Sequence, residues 1–239
     1  MAKKTARTGL TASALIRLLA SLAEPRGRTR DAQVSFADAL SQWTGWTDAI
    51  ALSAALDKPV PQAISPLEGD KSVQSMQVQA EWLRLQASLA QAIVRETQAA
   101  GRSPLEAGLG YTPFRQCFVA RQQAMDVAVG ALRDRVRAVL AGASADLERL
   151  AAVDAAMAQA LAPQERRLLA ALPAQLEKHY QQLRATQAAD DLDRPGAEAW
   201  VEAFRRDLQA ILLAELEHRL QPVEGMLQAL TPSTPLRTT

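Results

Sequence analysis

The chain has few of the side chains on which enzyme chemistry depends. Its 239 residues include one cysteine, Cys117, and two histidines, His179 and His218. A single cysteine excludes an internal disulfide and is typical of a reducing compartment, so we expect a cytoplasmic protein. Cys117 is followed by apolar residues and has no histidine near it in the sequence. We therefore interpret it as a small buried hydrophobe and not as a nucleophile.

The sequence motifs that indicate a catalytic or metal site are also missing. The sequence contains no glycine-rich phosphate loop, no His-Glu-x-x-His and no Gly-x-Ser-x-Gly. Glu215 and His218 have the Glu-x-x-His spacing of di-iron bundles, but the sequence has no second pair to complete such a site. We predict a non-enzymatic protein with no catalytic residues, no metal ligands and no cofactor.

Aromatic residues make up only 4% of the chain, and β-branched runs and period-2 alternation are nearly absent. The apolar 48% is dominated by alanine and leucine, which favour helices that meet through narrow seams. We therefore predict an all-α fold, an elongated helical bundle with coiled-coil-like helix packing. No apolar run approaches the roughly 20 residues that span a bilayer, so we expect no direct membrane insertion.

Prolines and glycines divide the chain. The densest cluster, at residues 58–69, predicts a linker. The predicted order is a disordered basic tail (1–10), an N-terminal helical subdomain (11–57), the linker (58–69), the main helical bundle (70–230) and a disordered tail (231–239). Within the subdomain, Trp43 and Trp46 flank Gly45, and we predict that both are buried at a helix elbow.

The main bundle is predicted to contain long helices with apolar stripes. The first covers 70–99, with a stripe at Val73, Met76, Ala80, Leu83, Ala87, Ala90 and Val94. The next runs from Pro113, behind an N-cap at Thr112, to about Ala141. Within it Phe118, Met125, Leu132 and Val139 recur every seven residues, which predicts a helix–helix seam.

The later helix boundaries are read from caps and prolines. Gly142 is predicted to end the central helix and Ser144 to cap the next one. A further helix should begin at Pro163 and be kinked at Pro173, and the last helix should break or bend at Pro222.

The net charge is only +1, but arginines are frequent in the central helices and the N-terminus is basic. If these side chains align, they could follow a phosphate backbone without reading bases, which makes double-stranded DNA a candidate partner. The alternative interpretation is a charged helix face with weak i,i+4 pairs. The candidate phosphate contacts are Arg115, Arg121, Arg133, Arg137, Lys3, Lys4 and Arg7.

Several segments together resemble a bacterial family described only as a domain of unknown function. Its members accompany type III Zorya anti-phage systems as an accessory cytosolic component, the F component. The segments cover roughly residues 10–190 and contain no catalytic signature. They are Ser35–Asp38, Trp43–Leu56, Tyr111–Arg115, Arg121–Met125, Leu132–Arg137, Leu150–Asp154 and Glu165–Leu169.

The resemblance implies a set of neighbours. These are an inner-membrane motor protein with a long cytoplasmic helical tail, an OmpA-like peptidoglycan-binding partner and a second helical accessory protein. Two hypotheses follow. In the first, the chain is a non-enzymatic helical adaptor or effector subunit that pairs with the second accessory protein, with the motor protein's tail as a further candidate partner. In the second, it is a non-specific DNA-binding component of the same system.

Overall fold

The computed structural model describes residues 45–57, 68–102, 110–190 and 199–231, and in these ranges it contains six α-helices and no strand. The helices are α1 (Trp46–Asp57), α2 (Glu68–Ala99), α3 (Thr112–Ala143), α4 (Ala145–Ala170), α5 (Leu172–Asp190) and α6 (Ala199–Leu230). Helices α2, α3 and α6 pack against one another, α4 lies on α3, α5 lies on α6, and α1 lies on α4. The predicted all-α bundle is confirmed. Residues 1–10 and 232–239 of the two predicted tails and residues 58–67 of the linker lie outside the described ranges.

The central helix, α3, begins and ends close to the predicted positions, but neither the predicted N-cap residue nor the predicted C-terminal glycine has the role expected of it. Thr112 is the first helical residue, and the N-cap position is occupied by Tyr111, which makes no side-chain cap hydrogen bond. Gly142 does not end the helix, which continues to Ala143. The predicted cap at Ser144 is confirmed, because its hydroxyl oxygen accepts a hydrogen bond from the N–H of Leu147 at 3.3 Å.

Proline positions divide the later helices differently from the prediction. Helix α4 continues through Pro163 to Ala170, and Pro173 is the second residue of α5. The predicted start at Pro163 and the kink at Pro173 are therefore wrong. A proline at the second helical position costs little, since the N–H that it lacks would have no acceptor within the helix. Helix α6 likewise continues past Pro222 to Leu230.

The seven-residue stripe of α3 lies in the interior. Phe118, Met125 and Leu132 are completely buried, and Val139 is partly buried against the same core. The stripe is a helix–helix seam inside the bundle, where it shares one hydrophobic cluster with residues of α2 and α6. It is therefore not a surface that a separate protein could reach.

The face of α2 that packs against the core is not the one predicted from its sequence. Its buried residues include Val78, Leu89 and Ile93, which follow a stripe on the opposite side of the helix from the predicted one. Of the predicted stripe, Val73, Met76 and Leu83 are exposed. The helix is thus apolar on two faces. One packs against the bundle, and the other is exposed over most of its length but reaches the same core at Ala90.

An aromatic cluster closes the end of the bundle where α3 and α6 begin. Phe204 makes edge-on contacts with Tyr111, Phe114 and Tyr180, with ring centroids 5.2–6.1 Å apart. The hydroxyl of Tyr111 donates a 2.7 Å hydrogen bond to the carbonyl oxygen of Pro173. This bond ties the start of α3 to the start of α5 and satisfies the one polar group of the ring.

Gly101 has a conformation that the cluster makes difficult for any other residue. Its φ is +70°, and a Cβ atom built on it would lie 2.8 Å from the Phe114 ring. We expect Gly101→Ala to lower the free energy of unfolding by at least about 2 kcal/mol, since left-handed backbone and overpacking each cost about 1–2 kcal/mol or more. Denaturant unfolding measures this loss. Gly142→Ala is the matched control: this glycine is helical with open space around it, so alanine there should be neutral or stabilising. Equal effects at the two positions would contradict the packing described for Gly101.

Candidate functional site

Two of the predicted phosphate contacts, Arg133 and Arg137, hold a carboxylate of the same chain. Arg133 donates through Nε and Nη2 to the two carboxylate oxygens of Asp154 at 2.9 and 2.6 Å. Arg137 donates through Nε to the same carboxylate at 2.7 Å. Their side chains are only 21% and 20% exposed. These contacts join α3 to α4, so both guanidinium groups already have anionic partners.

Asp154 is a largely buried carboxylate, with 12% of its side chain exposed, and the two arginines favour its charged form. Its burial favours the neutral form, but hydrogen bonds and charge from Arg133 and then Arg137 outweigh that effect, and the pKa of Asp154 is lowered. A lowered folded-state pKa stabilises the fold at pH values above the ordinary carboxylate pKa. That stability is lost as the pH falls through the folded-state value.

We expect Asp154→Asn to lower the free energy of unfolding at pH 7 by about 1.5–3 kcal/mol, the usual size for hydrogen bonds to a charged group. The difference from the unmodified protein should narrow as the pH falls below about 4, because Asp154 is then protonated in the unfolded chain and, at still lower pH, in the folded protein as well. Asp134→Asn is the control. Asp134 also binds Arg137, but its side chain is 75% exposed, so the change should be small. A pH-independent effect of Asp154→Asn would contradict the role of the two arginines.

The remaining predicted phosphate contacts do not gather around this pair. The Nε atom of Arg121 lies 2.8 Å from a carboxylate oxygen of Glu96, in an alignment that gives a charge contact without a well-formed hydrogen bond. Arg115 is exposed near the start of α3. Lys3, Lys4 and Arg7 lie outside the described residues. DNA binding stays a prediction, and the structure brings together only two of the residues on which it was based.

A second charged network, which the sequence reading missed, lies inside the bundle. Glu215 is fully buried in α6 and accepts hydrogen bonds at 3.0 Å from Arg219 and from the side-chain amide of Gln122 on α3. Arg219 also contacts Asp126 at 2.8 Å. The spacing of Glu215 and Arg219 by four residues was the available signal. Glu215 is thus engaged by donors, and the described residues contain no group of three or more metal-ligating side chains.

A groove of about 250 Å³ lies between α3, α4 and α6, lined in part by Gly130, Met157 and His218. Its two arginines are Arg133 and Arg219, and each is already bound by a carboxylate. The groove therefore offers no unpaired arginine for an anionic ligand.

Cys117 is less buried than predicted, although it packs against the core as a small apolar side chain. The side chain is half-buried, and burial raises the pKa of its thiol to about 11, with the nearby Glu96 charge adding to the shift. The thiol is therefore protonated at neutral pH and is a poor nucleophile.

The most exposed large apolar side chain of the described residues belongs to α1. Trp46 is 83% exposed, and Ile50 and Leu56 are more than half exposed. The prediction that Trp46 is buried is therefore wrong, while Trp43 lies outside the described residues. Helix α1 rests on α4 through a side that includes the half-buried Leu52 and Ala55, and none of its residues is fully buried.

The first turn of α1 is held by a cap that fixes the position of Trp46. The N–H of Gly45 donates a 2.9 Å hydrogen bond to a carboxylate oxygen of Asp48. This is the acidic half of a capping box, in which the third helical residue reaches back to the residue before the helix. The tryptophan therefore projects from an ordered helix start, which makes α1 the candidate docking surface of the chain.

Comparisons of the whole chain identify a family without a described activity. None of the helices in the described ranges is both long and apolar enough to cross a membrane. No curated protein and no solved structure matches the chain. A family model does match it, over residues 1–232, and the chain belongs to that family, described as protein of unknown function (DUF3348).

Proposed function

We propose that this protein is a non-enzymatic helical adaptor or effector subunit that pairs with another helical protein in a membrane-motor-linked anti-phage defence complex. The observation that carries the proposal is the exposed apolar face of α1, formed by Trp46, Ile50 and Leu56. The complex itself is proposed from the resemblance to the type III Zorya accessory component. The partner in this proposal is the second helical accessory protein, which would act in the cytoplasm beside the motor protein's tail.

The α1 face has the properties of the centre of a protein–protein interface. Tryptophan is enriched among the residues that dominate binding energies, since it buries a large apolar area and has few rotamers to lose. Each 100 Å² of apolar surface removed from water contributes about 2.5 kcal/mol before the costs of association. The cap at Gly45 orders this surface in advance, so a partner helix would spend little free energy on arranging it.

The charge distribution supports an apolar contact over an electrostatic one. The arginines that could have formed a basic surface on α3, Arg133 and Arg137, are occupied by Asp154. By contrast, no described core residue covers Trp46. Helices pack through ridges and grooves of side chains, and the exposed apolar side chains of α1, which lies on α4, are of the kind that a partner helix could pack against.

The test is co-expression of the full chain with the helical proteins encoded beside it, followed by affinity purification and mass determination. We expect a stable complex, and we expect Trp46→Ser combined with Ile50→Ser to weaken it at least about tenfold. Val127→Ser is the control, because Val127 is 73% exposed but lies on α3. Retention of full affinity by the α1 variant, or the absence of a complex with any helical neighbour, would contradict the proposal.

A further inference from the structure

The exposed face of α2 carries a regular pattern that the bundle does not use. Val73, Met76, Leu83 and Ala87 are exposed, with Met76 at 59%, Ala80 is half-buried, and Ala90, at the far end of the stripe, is partly buried against the chain's own core. The steps between the successive positions 73, 76, 80, 83, 87 and 90 alternate between three and four residues. This is the a/d spacing with which two helices pack side by side along a coiled-coil seam.

The order of large and small residues in the stripe makes it complementary to itself. In an antiparallel pair of α2 helices, one register places Val73 opposite Ala90 of the partner subunit. The same register places Met76 opposite Ala87 of the partner subunit and Leu83 opposite Ala80 of the partner subunit. Because the pair is symmetric, all six layers then combine one large and one small residue, the alternation that lets facing layers interdigitate.

A parallel arrangement lacks this complementarity. Each residue would then face its own copy, so three of the layers would contain only alanine, at Ala80, Ala87 and Ala90. Large residues would meet each other elsewhere, and the distance between the helices would have to vary along the seam. The sequence of the stripe therefore favours the antiparallel pair.

The residues beside the stripe would not repel a second copy of the chain. They are exposed and nearly all neutral, namely Gln77, Gln79, Gln86 and Gln91, with Arg84 as the only charged residue among them. In the antiparallel register Arg84 lies opposite Gln77 of the partner subunit, so like charges do not meet. A neutral border suits a self-paired surface, because a charged residue at the two-fold axis would face its own copy, which has the same charge.

We infer that the exposed face of α2 is the contact of a homodimer, in which a second copy of this chain packs antiparallel on the stripe from Val73 to Ala90. The contact is isologous and closed, as in most symmetric dimers. It spans about 26 Å along the helix, since each residue rises 1.5 Å. A seam of this length with three alanines is short for a permanent dimer, so the dimer forms at micromolar concentrations and dissociates on dilution. It uses α2 and leaves α1 free, so it stands whether or not the adaptor function is correct.

The first test is the mass of the full chain in sedimentation or mass photometry over a concentration series. We expect it to rise from 25.8 kDa towards twice that value as the concentration increases. Met76→Gln combined with Leu83→Gln should remain monomeric throughout, with unchanged helical content, because both side chains are exposed. Trp46→Ser with Ile50→Ser should still form dimers. A monomer at every concentration, or a dimer that survives the α2 changes, would overturn the inference.

The second test fixes the direction of the pair by cross-linking in a Cys117→Ala background. Met76→Cys mixed with Ala87→Cys should give a mixed disulfide on mild oxidation, while Met76→Cys alone should give none, and both positions are exposed. In the antiparallel register two copies of residue 76 lie about 17 Å apart. A cross-link between two Met76→Cys chains would instead indicate a parallel dimer. A stripe that cross-links only to a different protein would make that protein the occupant and overturn the homodimer.

Discussion

Replacing Arg219 by methionine should lower the free energy of unfolding by about 3–5 kcal/mol, the size expected when one partner of a buried ion pair is removed. Arg219 is the only cationic side chain recorded in contact with Glu215, which is fully buried in the described structure. Without it, the carboxylate would keep one hydrogen bond, from Gln122, and no compensating charge. Methionine keeps much of the volume of the arginine side chain. The lost free energy of unfolding therefore measures mainly the cost of leaving the Glu215 charge without a cationic partner. Equilibrium unfolding in denaturant is the measurement.

Two further variants separate charge from packing in this prediction. Arg206→Met removes an exposed arginine from the same helix and should change stability by less than about 0.5 kcal/mol. Combining Arg219→Met with Glu215→Leu should recover most of the loss, because hydrophobic replacement of a buried ion pair is often neutral. If the double variant were as unstable as the single one, the contribution of Arg219 would lie in packing and not in its charge.

Leu132→Ala should cost about 2–5 kcal/mol, since the residue is completely buried at the middle of the α3 seam and alanine leaves a cavity. The matched control is Leu168→Ala, the same chemical change at a leucine that is 55% exposed. It should cost far less, because little apolar surface is lost from contact with the protein. Similar losses at both positions would show that Leu168 is covered by a contact that the bundle itself does not provide.

The sequence was sufficient for the fold class and for the central seam. Phe118, Met125 and Leu132 could be placed in the core because their seven-residue apolar repeat is supported by further apolar residues on the same side, such as Val129 and Val136, which widen the stripe. Ser144 could be placed as a cap because the side-chain hydrogen bond that defines it is local. Both features depend on residues close together in the chain.

Hydrophobic periodicity did not predict the buried face of α2, because this helix has two apolar faces. The stripe at Val73, Met76 and Leu83 is as regular as the buried one at Val78, Leu89 and Ile93, and hydrophobicity alone does not say which faces the bundle. Burial was decided by the partners α3 and α6, which the sequence of α2 does not encode. The predicted helix start at Pro163 and the predicted kink at Pro173 failed for a similar reason, because both prolines occur in strongly helical surroundings.

The charge pattern of the sequence did not predict the partners of the arginines on α3. Asp134 and Asp126 were visible as helical neighbours, but the main partner of Arg133 and Arg137 is Asp154, on the next helix. An ion pair between residues of different helices depends on how α4 packs against α3, which the charge pattern of α3 does not show. For that reason a double change of Arg133 and Arg137 would disturb folding before it reported on DNA. The exposed Trp46 was missed because large aromatic residues are usually buried, and its exposure is the feature that favours a partner.

Amide hydrogen exchange across α1 tests the adaptor account most directly, with the full chain measured alone and in complex with its helical neighbour. In the free chain, residues 46–57 should exchange rapidly, because the helix has no fully buried side chain. In the complex the same amides should exchange at least about tenfold more slowly, while α3 around Arg115 should be unchanged. If α1 exchanged equally fast in both states and protection appeared elsewhere, Trp46 would not be the docking residue and the proposed function would lose the observation that carries it.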